Sequence, residues 1–424
     1  VESFFKVFLI IKERKKREKE NREEENREEE GMNYGQLLAK VFESDLDPKR
    51  IIDQLNFYRN LSINITDDLV IFDEIQAIPK AITSLKYFQE DMPQLAICSA
   101  GSLLGVKLNH GSFPVGKVHT MFLYPMDFVE FLHAIGENLS ADLIETCKID
   151  TVIPPLAHDR IWECLKWYFV VGGLPEAVNC FIENKDNLFV AFEKVRSIQL
   201  QLITDYYADM AKHSGKVNAM HIDRIWLSIP NQLASHIDSS SKRYQFHGVV
   251  EGIDRYSRLA NAIDWLENAG LVIKVPVIHD ATPPLSAHTK ENHFKLFVFD
   301  VGVLGALSGL SPKTIHEYDY GTYEGFFAEN FVAQEFISSN CKELFTWQDG
   351  RSEVEFIRNI EGDILPIEVK SGTVTHAKSL QKFMEKYHCK YRTIMSGRPL
   401  LIDLRNGFEN YPLYLASRFP LSKS

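Results

Sequence analysis

The chain has 424 residues, 25% of them charged and 45% hydrophobic, with a formal net charge of −11. That length holds roughly two to four domains with sizeable cores, and the acidic balance offers nucleic acid no global attraction, so any such contact needs a local basic surface. No apolar run reaches the roughly 18 to 20 residues of a membrane span, and the apolar opening, Phe4 to Ile11, lacks the basic start and small-residue cleavage site of a signal peptide. The sequence therefore predicts a cytoplasmic protein without a membrane partner. Cys98, Cys147, Cys164, Cys180, Cys341 and Cys389 are scattered with no C-x-x-C pair, and read as reduced thiols rather than a zinc site or a disulfide framework.

Residues 1–31 form a charged N-terminal segment, expected to be helical or disordered. Its block KERKKREKENREEENREEE, residues 12–30, cannot enter a core but is rich in i,i+4 charge pairs. From Met32 the pattern becomes amphipathic, with Leu37, Leu38, Val41 and Phe42 on one helical face and Ile51, Ile52, Leu55 and Tyr58 on another. A first domain over residues 32–150 begins here. Its most informative segment is Leu69-Val-Ile-Phe-Asp-Glu-Ile-Gln76, an apolar run suited to a buried parallel strand that ends in two adjacent carboxylates. In a nucleotide hydrolase the first acid, Asp73, can hold the Mg²⁺ of a nucleoside triphosphate, and the second, Glu74, can orient the attacking water. A helix over about Lys80 to Glu90 and a strand over Gln94-Leu-Ala-Ile-Cys-Ser-Ala100 complete a βαβ unit. A third strand is expected near Val118 to Leu123, then an amphipathic helix through Phe128, Phe131 and Leu132.

Residues 151–212 read as a helical lid broken at Gly172-Gly-Leu-Pro175. Residues 213–285 predict a winged-helix-like module: one helix with Ile222, Ile225, Trp226 and Ile229, another with Leu259, Ile263, Trp265 and Leu266, and a strand from Leu271 to Val275 after Asn268-Ala-Gly270. Lys242, Arg243, Arg255 and Arg258 supply part of the chemistry by which such a module meets DNA, although such folds also join domains. Residues 290–424 predict a further α/β domain, with a helix over Tyr323 to Ser338 and strands around Leu344 to Trp347, Glu353 to Arg358 and Ile364 to Lys370. A helix to Tyr387 and two more strands close it.

A phosphate loop of the form G-x-x-x-x-G-K-[ST] is matched only by Gly111-Ser-Phe-Pro-Val-Gly-Lys117-Val118, which is a decoy. Val118 lacks the hydroxyl that ligates Mg²⁺, and the run His119 to Leu123 reads as strand where the motif requires a helix N-terminus. The sequence thus holds no Walker A motif, and it leaves ATP hydrolysis unsupported. His133, His236 and His388 have no ligand-spaced partner in the sequence and read as structural.

LVIFDEIQAIPKAITSLKYFQED, ICSAGSLLGV, SFPVGKV, YPMDFVEFL and GGLPEAV together resemble the prokaryotic AAA-type ATPases that carry a C-terminal domain of unknown function, from about Met32 to the end. The resemblance implies a P-loop NTPase-like parallel-sheet core with a helical lid and ATP with Mg²⁺ as cofactors. It also implies a Walker B pair at Asp73 and Glu74, a sensor-like strand end at Ser99 and Ser102, and a nucleotide partner; the expected assembly includes a homo-oligomer. The charged block stands where that family has a strand and its phosphate loop, so the N-terminal region reads as replaced, truncated or mis-joined.

A second constellation is Glu329, Glu355, Glu368 and Lys370. Period-2 geometry puts Glu368 and Lys370 on one face of the strand Ile364 to Lys370, and Glu355 on the preceding strand can share it. An acid, then E-x-K on the next strand, with a further acid from a preceding helix, resembles the metal site of the restriction-endonuclease-like fold. The resemblance implies a metal-dependent nuclease with DNA as partner, two or three of the carboxylates holding Mg²⁺ and the lysine positioning water. Glu355 is one methylene longer than the usual aspartate. An inert nuclease-like domain, or a non-catalytic interaction scaffold, is the alternative expectation. Lys378, Lys382, Lys386, Lys390 and Arg392 make the surroundings basic.

Overall fold

The computed structural model describes residues 6–10, 39–101, 114–235, 243–317, 323–339, 341, 343–372 and 378–422. Ser102, Lys242, His236 and the charged block over residues 12–30 lie outside them. The chain falls into two compact units, residues 1–122 and 123–424. Among the described residues, no helix is long and apolar enough to cross a membrane.

The first unit is a three-stranded sheet in the order β1 (Lys6–Ile10), β2 (Leu69–Asp73), β3 (Ala96–Ser99), with helices Pro48–Arg59 and Pro79–Asp91. The first helix starts where Asp47 accepts from the Lys49 and Arg50 amides at 2.8 and 3.2 Å with Pro48 in its first turn, and stops at Asn60 in the left-handed region. Period-2 alternation turns Val70 and Phe72 inward, where Phe72 packs between Phe42 and Phe88 with ring centroids 5.9 and 6.1 Å away. β2 and β3 are parallel, as the βαβ reading requires, but β1 is antiparallel to β2, with Lys6 opposite Asp73 and Ile10 opposite Leu69. This corrects the helical or disordered expectation for residues 6–10 and the all-parallel core. The apolar composition of Val7 to Ile10, ahead of the charged block, suits a sheet edge better than a solvated helix. The third strand expected near Val118 to Leu123 does not form, and no described strand pairs with that run.

The second unit is built on an eight-stranded mixed sheet in the order β10-β11-β9-β8-β7-β6-β4-β5. The strands are β4 (Val272–Ile278), β5 (Phe294–Val298), β6 (Phe345–Asp349), β7 (Ser352–Ile360), β8 (Asp363–Val369), β9 (Arg392–Ser396), β10 (Leu401–Asp403) and β11 (Phe408–Pro412). The division expected between residues 285 and 290 is corrected by this pairing, because β4 and β5 are antiparallel partners and β4 also runs parallel to β6. One sheet continues through both of the modules expected from the sequence. Helices Phe128–Ala134 and Asn138–Thr146, placed in the first domain by the sequence, belong to this second unit.

The helical break at Gly172 and Gly173 has a steric cause. Gly172 has φ 71° and ends the helix Pro155–Val171, and the Gly173 amide donates to Asp300 Oδ2 at 2.7 Å while its carbonyl accepts from the Met126 amide at 2.8 Å. A Cβ on Gly173 would lie 2.1 Å from the Met126 carbonyl oxygen. Backbone cannot swing aside as a side-chain tip can. Gly173→Ala is therefore expected to cost about 1–3 kcal/mol, read as a fall in melting temperature; an unchanged melting temperature would refute the close packing at this turn.

Candidate functional site

The first unit gathers its chemistry at the C-terminal end of β2. Asp73 ends the strand and accepts from the Glu74 amide through Oδ1 at 3.0 Å. Glu74 sits at φ 50°, ψ 40°, a left-handed conformation that costs a non-glycine residue roughly 1–2 kcal/mol. The Ile75 amide, donating to the Ala100 carbonyl at 3.1 Å, and the Gln76 side chain, donating to Glu74 Oε2, hold it there. Ser99 lies opposite Phe72 at the parallel end of β3, and its hydroxyl is buried with no hydrogen-bond partner among the described residues. The structure thus brings together Asp73, Glu74 and Ser99. Gln76, to which sequence reasoning assigned no role, is the residue that fixes Glu74. The decoy phosphate loop is occupied otherwise: Lys117 follows a turn whose amide returns to the Pro114 carbonyl at 3.1 Å, and its ammonium lies 3.1 Å from Glu90.

The second unit carries a buried cluster of acids and lysines. The register that pairs Phe356 with Ile367 sets Glu355 of β7 opposite Glu368 of β8, and alternation puts Glu353 on the same face as Glu355. Lys370 Nζ lies 2.7 Å from Glu368 Oε1, and the Val369 amide donates to Glu355 Oε2 at 3.4 Å. Glu329, from the helix Tyr323–Ser338, does not join this pair. It lies 3.0 Å from the ammonium of Lys295 in β5, which is 1% exposed and also lies 2.6 Å from Glu353. Glu329, Glu355 and Glu368 do not bring three donor oxygens within 4.8 Å of one another, so of the two or three carboxylates expected at a metal site the structure sets only Glu355 and Glu368 opposite each other, and Glu329 is engaged by a buried ammonium.

Titration behaviour reflects this layout. Burial, then the charge of Glu368, pushes the Glu355 carboxyl well above the usual range. Burial also raises Glu353, against the pull of Lys295. Burial works against the charge on Lys295, but Glu329, Glu353 and Glu355 outweigh it and hold the ammonium protonated; Glu355 and Glu368 do the same for Lys370. One atom is left over: Glu368 Oε2 is buried without a hydrogen-bond partner among the described residues. Sequence reasoning missed Lys295 and Glu353. The signals were present, as a lysine inside the apolar strand Lys295-Leu-Phe-Val298 and an acid two residues before Glu355.

Residues 21–132 match an AAA domain, residues 163–314 match a domain of unknown function (DUF8612), and residues 324–415 match another (DUF4143). The AAA and DUF4143 matches support an AAA-type ATPase-like protein. No curated protein matches the sequence. Asp73, Glu74 and Ser99 lie within the AAA match, whose mixed α/β elements agree with that class. Glu329, Glu353, Glu355, Glu368 and Lys370 lie within the DUF4143 match, and Lys295, which neutralises two of them, within the DUF8612 match.

The Lys295 triad is therefore expected to act as one unit. Lys295→Met leaves Glu329 and Glu353 without their cation and should destabilise the protein by about 3–5 kcal/mol, with Glu353→Gln in the same chain recovering part of the loss. Urea denaturation of Lys295→Met, Glu353→Gln and the double variant measures this, and additive effects would exclude the coupling.

Proposed function

We propose that this protein binds ATP through Mg²⁺ held at Asp73 and uses Glu74 to sense or polarise what lies beyond the terminal phosphate. The observation that carries the proposal is the convergence, at one end of the parallel pair β2 and β3, of the Asp73 carboxylate, a left-handed Glu74 and a buried Ser99 hydroxyl that has no partner among the described residues. A buried hydroxyl without a partner is costly unless a ligand completes it, and carboxylate with hydroxyl oxygen suits a hard cation and its phosphate. Mg²⁺ bound here would neutralise phosphate charge. Asp73 holds the ion, Ser99 donates to a phosphate oxygen, and Gln76 keeps Glu74 aimed.

The cradle for the inner phosphates is another matter. β1 ends at Ile10, opposite Leu69 and so at the far end of β2 from Asp73, and Lys117 is engaged by Glu90. No described residues form a phosphate loop beside Asp73, so the proposal assigns nucleotide binding and switching and does not assign hydrolysis. ATP with Mg²⁺ is expected to raise the melting temperature, with about 2.7 kcal/mol of linkage at ligand 100-fold above Kd. Asp73→Asn should abolish the shift and Glu74→Gln should keep it. The absence of any shift at millimolar ATP would overturn the reading.

A second reading attaches to Glu368 Oε2, which is buried without a partner among the described residues. Together with Glu355 and Lys370 it is the acid, acid and lysine set of a restriction-endonuclease-like domain, in which Glu355 and Glu368 would hold Mg²⁺ and Lys370 would orient water. On this reading the helix Tyr256–Asn268 with β4 and β5 is a winged-helix-like module offering Arg243, Arg255 and Arg258 to DNA. Cleavage of DNA in Mg²⁺ or Mn²⁺ that disappears in Lys370→Ala is the expected outcome, and cleavage that survives the substitution removes this site from consideration. If neither nucleotide nor DNA elicits a response, the scaffold reading remains.

A further inference from the structure

We infer that the first two helices of the second unit hold a divalent transition-metal ion between His133, Asp142 and Glu145. The helix Phe128–Ala134 ends just before Gly136, whose φ of 86° reverses the chain into the helix Asn138–Thr146. The Gly136 and Glu137 amides donate back to the His133 and Leu132 carbonyls at 3.1 and 2.9 Å, so the turn is fixed by the backbone. It lays the His133 ring against the second helix, on which Asp142 and Glu145 share a face at i,i+3.

Donor atoms of the three side chains all lie within 4.8 Å of one another, and His133 Nε2 is 3.6 Å from Glu145 Oε1. Ligand distances of roughly 2.0–2.2 Å from a shared ion span such gaps after small rotations of exposed side chains. Among the described residues, no other group of three such ligands is this close. A second observation bears on the ring itself. Asn138 Oδ1 lies 3.0 Å from His133 Nδ1, and an amide oxygen can only accept, so this contact places a hydrogen on Nδ1 and leaves Nε2, the nitrogen that faces Glu145, as the one an ion would bind in the neutral ring. Orienting one ring nitrogen by a hydrogen bond while the other binds is how metal-ligating histidines are held.

One imidazole and two carboxylates, with solvent free to fill the remaining positions, suit Zn²⁺ or Mn²⁺ better than Mg²⁺ or Ca²⁺, which favour all-oxygen shells. The competing occupant is a proton, which would make His133 a cation bridging two acids. Read from the sequence, His133 has a structural role because its partners are nine and twelve residues away, beyond the spacing of a single-helix motif. Only the turn at Gly136 makes them neighbours.

Calorimetric titration of the full, chelator-stripped chain with Zn²⁺ at neutral pH tests this. A saturable site is expected that His133→Ala and Glu145→Gln each weaken by at least about 10-fold, and Asn138→Ala by about 10-fold through the ring it orients. Co²⁺ should give a ligand-field absorption in the parent that is missing in His133→Ala. The three ligand side chains are exposed, so their variants are expected to retain the parent circular dichroism. Equal Zn²⁺ affinity in parent and His133→Ala, or no saturable uptake by the parent, would overturn the site.

Discussion

The second unit depends on the hydrogen-bonding demands of one buried helix. Tyr323–Ser338 carries Glu329, Asn330, Gln334 and Glu335 towards the interior, and the last three are at most 3% exposed. Each must find a partner there, since an unsatisfied buried polar group costs about 1–3 kcal/mol. Asn330 accepts from the Val298 amide and donates to the Val298 carbonyl, both at 2.8 Å, as a neighbouring strand would, and it does so on β5 at the edge of the sheet. Gln334 accepts from the Val301 amide at 2.9 Å and donates to the Tyr168 hydroxyl at 2.8 Å, and Glu335 accepts from the Phe128 amide at 3.0 Å. The helix thereby closes the sheet edge and satisfies orphan amides at the starts of two other helices. Apolar packing alone would leave those positions free to slide.

Glu329 is the acid of this set that meets a buried cation, and its commitment to Lys295 divides the acidic cluster into two unlike halves. On one side a fully buried ammonium sits between Glu329 and Glu353, a closed arrangement whose attraction outweighs the desolvation of the Lys295 ammonium. On the other, Glu355 and Glu368 face each other and both act on Lys370, which pairs directly with Glu368 alone, and the excess acid is absorbed by the raised affinity of Glu355 for a proton. The closed half holds β5, β7 and the helix in register. The open half retains an acceptor that nothing among the described residues satisfies, which is the property a ligand-binding site needs and a structural ion pair does not.

Much of this was legible in the sequence, because hydrophobic period and punctuation are local. The helix Tyr323–Ser338, the strands carrying Asp73, Glu355 and Glu368, and the break at Gly172 all stand where the pattern put them. What was not legible is non-local. The direction of β1 is set by which edge it joins, and the union of β4 and β5 with the C-terminal strands is set by a parallel pairing across some seventy residues, from Val277 to Thr346. Lys295 and Glu353 were overlooked for a related reason. A charge inside an apolar strand reads as a flaw until its partners from distant elements are known.

The same distinction orders the candidate sites. Acids in proximity are common and are usually neutralised by neighbouring lysines, as Glu90 is by Lys117 and Glu329 by Lys295 here. An unpartnered buried oxygen is rarer, since protein interiors satisfy the large majority of their polar atoms. Among the described residues Ser99 Oγ beside the end of β2 and Glu368 Oε2 beside Lys370 are two of several such atoms, Gln199 Oε1 and Glu335 Oε2 being others, and these two stand next to a carboxylate chosen from sequence on chemical grounds. The strained Glu74 backbone adds a second cost at the first of these places. Among the described residues an unsatisfied hydroxyl and a left-handed glutamate share one strand end, and a ligand that met both, as the proposed phosphate with its cation would, would offset both costs at once.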